Sequence, residues 1–359
     1  MKKYNVIDLF CGCGGISVGF NMTKRCNIIG AIDFAKPACD TFKLNFPNAN
    51  VICCDITKQS VEDTGFKDVD IIIGGPPCQG FSALNRHEKN REDDPRNILF
   101  MQYIRFVKEL NPKALMIENV RQILTQKDGY AKNTICAMLD EIGYNVCYKV
   151  IRAADYGVPQ KRMRAVFVGI RKDIGSFDFE SLEKVMIDRE ITVGEAFEDL
   201  IPIEDKNNIS DVHSINETIT NRYLKIMHDG TNQVHNHLMK YPNENVQHRI
   251  SMVREGHNWK DVPEEMFPSH RDNRHSNYMR RLDRNDVSIT VDTGHDVYFH
   301  PIYNRVPTVR ETARIQSFPD SFLFTGTRSE QLRQVGNAVP PLMAKAIATC
   351  ILEVLDEKE

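Results

Sequence analysis

The sequence lacks the usual marks of a metal or membrane protein. Its ten cysteines include no Cys-x-x-Cys pair, and its eleven histidines form no His-Glu-x-x-His helix. Both absences argue against a zinc site. No uninterrupted apolar run is long enough to cross a bilayer, and Met1-Lys2-Lys3-Tyr4-Asn5 opens no signal-peptide core. A chain of 359 residues is too long for a small disulfide scaffold, so reduced thiols in a cytoplasm fit best. An excess of one charge is also missing, with a net formal charge of only −3. A nucleic-acid partner would have to be met by a local basic patch. What is present is ordinary globular composition, 41% hydrophobic and 26% charged, at a length that implies two domains.

The most unusual stretch is Gly74-Gly75-Pro76-Pro77-Cys78-Gln79-Gly80-Phe81-Ser82. It follows residues 69–73, a short β-branched run that reads as a buried parallel strand. Glycine lets the backbone pass close to a neighbour, while proline fixes φ and removes a donor. Cys78 therefore sits on a stiff turn at the carboxyl end of a strand, the edge where open α/β sheets bind ligands. A cysteine that only packs as a small hydrophobe needs no such mount. The stretch points to a nucleophile.

Strand and helix alternate around it. Residues 5–10 form a first strand running into Cys11-Gly12-Cys13-Gly14-Gly15, and a helix begins near Ile16. This opens a Rossmann-like unit, although the spacing is not that of a phosphate-cradling G-x-G-x-x-G. A second strand, 27–32, closes on Asp33, placed to bind ribose hydroxyls, to N-cap the helix around Pro37, or both. A third, 51–54, ends on Asp55, and the strand at 113–117 ends on Glu118-Asn119-Val120. Residues 144–151 and 164–170 read as another strand pair. Arg162 and Arg164 alternate, so on extended chain they face one side and suit an anion or a polarised carbonyl. The pattern predicts a doubly wound α/β domain. The charged stretch 86–96 reads as a surface loop that could serve as a lid.

Periodicity fades after about residue 185, and 207–275 is polar with scattered histidines. The block 269–284 gathers Arg271, Arg274, Arg280, Arg281 and Arg284 among asparagine and tyrosine. Arginine and asparagine read base edges and arginine grips phosphate; an ordinary charged surface is the alternative. Order returns with a strand-like run at 287–292, a short helix at 309–315, a rigid turn at 334–341 and an apolar-periodic helix at 342–355.

Eight strings taken together and in order resemble the C5-cytosine DNA methyltransferase family of the bacterial restriction-modification type. They are DLFCGCGG, Asp33, Asp55, GGPPCQGFS, ENV, QKRMR, RETARIQSFP and QVGNAVPP, spread from residue 8 to residue 341. The resemblance covers both flanks of the variable interior but not 190–285 itself. It implies a Rossmann-like methyltransferase domain with a mixed, mostly parallel sheet, and a smaller, irregular target-recognition domain. By position these would be 1–188 plus 325–359, and 189–324.

The resemblance also implies roles. Cys78 would add to cytosine C6, Glu118 would contact N3 and the exocyclic amine, and Arg164, with Arg162 beside it, would support the base carbonyl. S-adenosylmethionine would lie against Phe10, Gly12, Gly14, Gly15, Asp33, Asp55, Pro76, Leu99, Asn337 and Val339. Double-stranded DNA would be held by Ser82, Arg96, Arg271, Arg274, Arg280 and Arg281. The expected protein is a cytoplasmic monomer without metal or membrane, paired with a restriction endonuclease of the same site. An RNA cytosine methyltransferase of the same architecture is the near alternative, disfavoured by Gly80-Phe81-Ser82. A non-catalytic DNA-binding relative is disfavoured because Cys78, Glu118 and the glycines are all present.

Overall fold

Short runs rich in isoleucine and valine become strands, and the segments between them become helices. The structure, a computed structural model, describes residues 2–77, 98–207, 209–216, 218–267, 278–292 and 298–358. The chain forms β1 (Tyr4–Leu9), α1 (Gly15–Asn21), β2 (Cys26–Asp33), α2 (Lys36–Asn45), β3 (Asn50–Cys53) and β4 (Ile71–Gly74). It continues with α3 (Ile98–Leu110), β5 (Ala114–Val120), α4 (Tyr130–Glu141), β6 (Tyr144–Arg152) and β7 (Met163–Arg171). These strands make one sheet in the order β3-β2-β1-β4-β5-β7-β6. The first five are parallel, whereas β7 is antiparallel to both β5 and β6. Strand order reverses between β1 and β4, which is where an open sheet leaves a crevice at its carboxyl edge. The mixed, mostly parallel sheet expected from the sequence is therefore present.

Chain contacts divide the protein into two compact units. The first is Met1–Tyr156, Met163–Met186 and Val339–Glu359; the second is Gly157–Arg162 and Ile187–Ala338. Residues 325–338 thus fold with the second unit, not with the sheet. Their hydrogen bonds explain it: Gln334 Nε2 donates to Thr325 O at 3.0 Å, and Gln316 Nε2 donates to Val335 O at 2.9 Å.

In the first unit, α3 and α4 bury apolar faces with the sheet, and Ile72, Phe100, Phe106, Leu115, Ile135 and Phe167 are fully enclosed there. Tyr103 Oη donates to Ile72 O (3.0 Å) and Met116 O (3.1 Å), tying β4 to β5. The C-terminal helix Pro341–Asp356 returns to this unit. By length and composition it lies in a window apolar enough to cross a membrane. Most of that window is buried here, which is how a core helix behaves. Its closest approach is to α1, where a Cβ on Gly19 would lie 2.5 Å from Ala344 Cβ and from Pro341 O.

The second unit has little sheet and a charged interior. All of the helix Val309–Ile315 is buried, including Arg310, Glu311 and Arg314. Arg314 donates to both oxygens of Asp320 (3.0 and 2.8 Å) and also pairs with Asp199. Arg305 bridges Glu204 and Glu311. Although burial opposes its ionisation, Arg305 and His300 hold the Glu311 carboxyl well below the usual range. Charges this deep persist because each is paired and hydrogen-bonded. Two histidines of this unit go into the same framework. His237 Nδ1 meets Thr308 Oγ1 at 2.8 Å, and His228 Nε2 meets Asp199 at 2.9 Å.

The strand expected at 287–292 does not form. Ser288 makes a single bridge to Gln160, and the Val291 N–H is taken by the Gln160 side chain at 2.9 Å instead of a strand partner.

Gly19→Val tests the contact between α1 and the C-terminal helix. With backbone only 2.5 Å from the added Cβ, the overpacked variant is expected to lose about 1–3 kcal/mol in chemical denaturation, or more if the helices separate. Wild-type stability would refute this packing.

Candidate active site

Among the described residues, Gly12, Asp33, Asp55 and Glu118 lie at the carboxyl ends of their strands, because register delivers them there. Leu9 of β1 pairs with Ile32 of β2 on one side and with Gly74 of β4 on the other. The β1–β2 register shifts between Val6 and Ile7, which sets the strand ends level. Phe10 and Gly12 both leave β1 with positive φ (60° and 53°). A left-handed turn of this kind is ordinary for glycine and uncommon for phenylalanine.

Asp33 is what holds that turn. Its Oδ2 accepts the Gly12 N–H at 2.8 Å, and its Oδ1 accepts the Ala35 N–H at 2.9 Å. Asp33 is therefore not the N-cap of α2, a position occupied by Ala35. A Cβ built on Gly12 meets nothing within 4 Å, so the space above the turn is open. Gly14 caps α1 in the left-handed region and Gly15 begins the helix. Phe34, directly after Asp33, is 78% exposed, which is unusual for a phenyl ring at a strand end. Asp55, just past β3, accepts from Thr57 N (3.0 Å) and Thr57 Oγ1 (2.8 Å). Thr57 keeps its carboxyl below the usual carboxylate range. Phe10 and Leu99 are half-buried and pack on the same core cluster. The edge thus offers an open glycine turn, an exposed aromatic face and two carboxylates. That set fits a cationic nucleoside without phosphate, and Phe34 is a candidate contact absent from the sequence reading.

Beneath this turn lies a strained carboxyl. Asp8 is fully buried on β1; its Oδ2 accepts from Ser17 Oγ at 2.6 Å, and its Oδ1 has no partner. Burial pushes its pKa from the usual 3.8 up to about 7, against the Ser17 hydrogen bond.

A second group forms where β4 and β5 end. Gly74 pairs with Ile117, so Glu118 lies beside Gly75, and a Cβ on Gly75 would sit 3.5 Å from Glu118 Oε2. Asn119 Nδ2 donates to the Pro76 carbonyl at 2.9 Å and so fixes the chain two residues before position 78. Arg164 Nε pairs with Glu118 Oε1 at 2.8 Å, both side chains being largely buried. Cys78, Ser82, Arg96, Arg271 and Arg274 lie outside the described residues, as does the charged stretch 86–96.

A family model of the C-5 cytosine-specific DNA methylases matches residues 4–353. The chain belongs to that family. It is 38% identical to the type II methyltransferase M.DdeI of Desulfomicrobium norvegicum, over 96% of this chain and 87% of the relative. It is 36% identical to M1.HphI of Haemophilus parahaemolyticus, over 97% and 86%. A crystal structure described as a DNA modification methyltransferase encoded within an E. coli prophage superposes with a TM-score of 0.81 at 29% identity, covering 99% of this chain and all of that one. S. pombe Dnmt2, at 16% identity and a TM-score of 0.63 over 99% of both chains, shares the fold. The protein is a DNA (cytosine-5)-methyltransferase of the restriction-modification type.

Two of the expected arginines of this methyltransferase are held inside the second unit, the first being Arg162. It is only 2% exposed and donates to Gly336 O (3.1 Å) and Val291 O (3.5 Å) inside the second unit. Gln160 beside it is equally internal, bonded to Gln316 and Val291. Arg281, read as a DNA contact, is also buried. Its guanidinium donates to Val253 O and Ile250 O, both at 2.6 Å, and so caps the helix Glu244–Met252. Carbonyl oxygens orphaned at a helix end are satisfied well by a cation. Arg280 on the same strand is half-buried. Asn337 is the exposed last residue of the helix Arg328–Asn337, and Val339 is buried where the chain rejoins the first unit.

Asp8 gives a pH test with a definite sign. The folded state keeps its proton up to about pH 7 while the unfolded chain releases it near 3.8, so stability falls as pH rises across that window and levels off above it. Asp8→Asn keeps an acceptor for Ser17 and removes the titration. Its stability advantage over wild type should grow by roughly 1.4 kcal/mol per pH unit within the window. Denaturation curves in which that advantage does not change with pH would contradict this assignment.

Proposed function

We propose that this methyltransferase takes a cytosine out of duplex DNA and methylates C5 by way of a covalent bond from Cys78 to C6. The observation that carries the reading is the Glu118–Arg164 ion pair beside the Pro76 carbonyl. Pro76 sits two residues before the thiol in sequence, and the Asn119 side chain next to Glu118 holds its carbonyl.

C5 of cytosine is too weak a nucleophile to take an alkyl group directly. Addition of the Cys78 thiolate at C6 breaks the C5–C6 π bond and leaves an enamine whose C5 is nucleophilic. Glu118, placed to share a proton with N3 and to accept from the exocyclic amine, withdraws electrons from C6 during that addition. Arg164 holds the carboxylate in place and brings a guanidinium to the base carbonyl. Loss of the C5 proton and departure of the Cys78 sulfur restore the aromatic ring. An ordinary thiol is only a few per cent ionised at neutral pH, so the site must favour the thiolate.

S-adenosylmethionine supplies the electrophilic methyl group when bound. Gly12, Gly14 and Gly15 allow close approach of its methionine end, Asp33 takes the ribose hydroxyls, and Asp55 takes the adenine amine. Phe34 offers its exposed face to the adenine ring, with Phe10, Pro76, Leu99, Asn337 and Val339 completing the lining. The base is buried in its duplex, so extrusion costs a few kcal/mol, roughly, which contacts from Ser82, Arg96 and the second unit must offset. The second unit serves target recognition, with Arg271, Arg274 and Arg280 as its candidate DNA contacts. In the cell this activity protects cytoplasmic DNA against an endonuclease that cuts the same site.

Cys78→Ala should abolish methyl transfer to duplex DNA while leaving duplex binding intact. Glu118→Gln should lower the rate by about 100-fold or more, the range of a lost acid–base group. With wild type, a duplex carrying 5-fluorocytosine at the target position should trap a covalent adduct at Cys78. Undiminished transfer by Cys78→Ala would falsify the mechanism, and methylation of tRNA in preference to duplex DNA would move the substrate to RNA.

A further inference from the structure

The backbone turn at Asp33 is held from two sides by sulfur. Cys39 of α2 donates its thiol to the Asp33 carbonyl at 3.4 Å. Cys53, the last residue of β3, donates to the next carbonyl, that of Phe34, at 3.8 Å. Parallel register puts Cys53 directly opposite Asp33. The two thiols thus bond to the carbonyls of adjacent residues, Asp33 and Phe34. Cys39 is buried and Cys53 exposed, and neither is bonded to another cysteine. Burial pushes the Cys39 thiol up, and its neighbour Cys53 adds to that. Cys53 is therefore the sulfur an oxidant meets, and Cys39 the one placed to resolve it. Methyl transfer as described uses neither.

We propose that Cys39 and Cys53 form a redox site, in which a hydroperoxide links them as a disulfide that weakens methyl-donor binding beside Asp33. The proposal rests on the reading of Asp33 and Phe34 as donor contacts. In the first step the Cys53 thiolate attacks the peroxide: an S–O bond forms, the O–O bond breaks, and water or an alcohol leaves, giving a sulfenic acid. The Cys39 sulfur then attacks that sulfur, expelling hydroxide, which leaves as water with the thiol proton. Two thiols are oxidised and one hydroperoxide is reduced. A disulfide brings the sulfurs to about 2.05 Å, closer than unbonded sulfurs can approach. The start of α2 and the end of β3 are then drawn together, and both S–H donors to the Asp33 and Phe34 carbonyls are lost. Asp33 also fixes the Gly12 and Ala35 N–H groups, so a shift of its backbone reaches the glycine turn.

The test uses the whole protein. Reduced enzyme is treated with hydrogen peroxide, quenched and peptide-mapped without reductant, and S-adenosylmethionine binding is measured calorimetrically before and after. The expected result is a Cys39–Cys53 linked peptide and a loss of donor affinity of about tenfold or more, reversed by dithiothreitol. Cys53→Ser should bind the donor as reduced wild type does and keep that affinity after peroxide. An unlinked pair, a linked pair with unchanged donor affinity, or an equal loss in Cys53→Ser overturns the proposal. Failure of the reduced wild type to bind the donor is a different result; it removes the donor assignment itself and the proposal with it.

Discussion

Glu118 and Arg164 can meet only because β7 runs against β5. Glu118 is near the end of its strand and Arg164 near the start of its own. In an all-parallel sheet those positions would lie on opposite edges. The antiparallel register instead pairs Val120 with Arg164 and Glu118 with Val166, so an arginine from the beginning of a strand arrives at the carboxyl edge. The carboxylate then has a guanidinium on one side and the Gly75-Pro76 backbone on the other. A pair this enclosed is stiff, since neither charge can leave without exposing the other to an uncompensated desolvation. The reversed strand is thus as much a part of the active site as any side chain.

The glycine-turn half of the edge is held differently, its backbone N–H groups being fixed by a carboxylate, Asp33. Asp8 below contributes a second carboxyl that burial keeps near neutrality, with Asp33 among the charges that oppose its ionisation.

Much of this was legible in the sequence. The parallel strands β1 to β4 carry short runs of isoleucine and valine, and the glycine and aspartate that follow them, Gly12, Asp33, Asp55 and Gly75, fall at the carboxyl edge. The ordered strings identified the family because turn chemistry and nucleophile spacing are local. What stayed hidden depends on partners distant in the chain. Arg281 looks the same in sequence whether it faces solvent or caps a helix, and only the carbonyls of Ile250 and Val253 decide which. Arg162 and Arg164 alternate as a strand face would, but they fall in different compact units. The run 287–292 has strand propensity and starts a ladder at Ser288, yet the Gln160 side chain takes the Val291 N–H and the ladder goes no further. Phe34 was missed because nothing in a sequence says that an aromatic ring stays outside the core.

The buried arginines also change how much positive charge the second unit can present to a polyanion. Arg281, Arg305, Arg310 and Arg314 are all inside, held by carbonyls or by carboxylates. Arg284 is engaged as well, with both Nε and Nη2 on Glu255. Cations used this way organise the unit, since they satisfy helix ends and loop carbonyls where there is little sheet to do so. They cannot release counterions from a phosphate backbone, because they are not at the surface. In a chain whose net charge is already −3, counting basic residues therefore overstates the attraction for DNA. Recognition has to come from a few well-placed contacts and from fit to the extruded base, which is the regime in which target sequence outweighs simple charge.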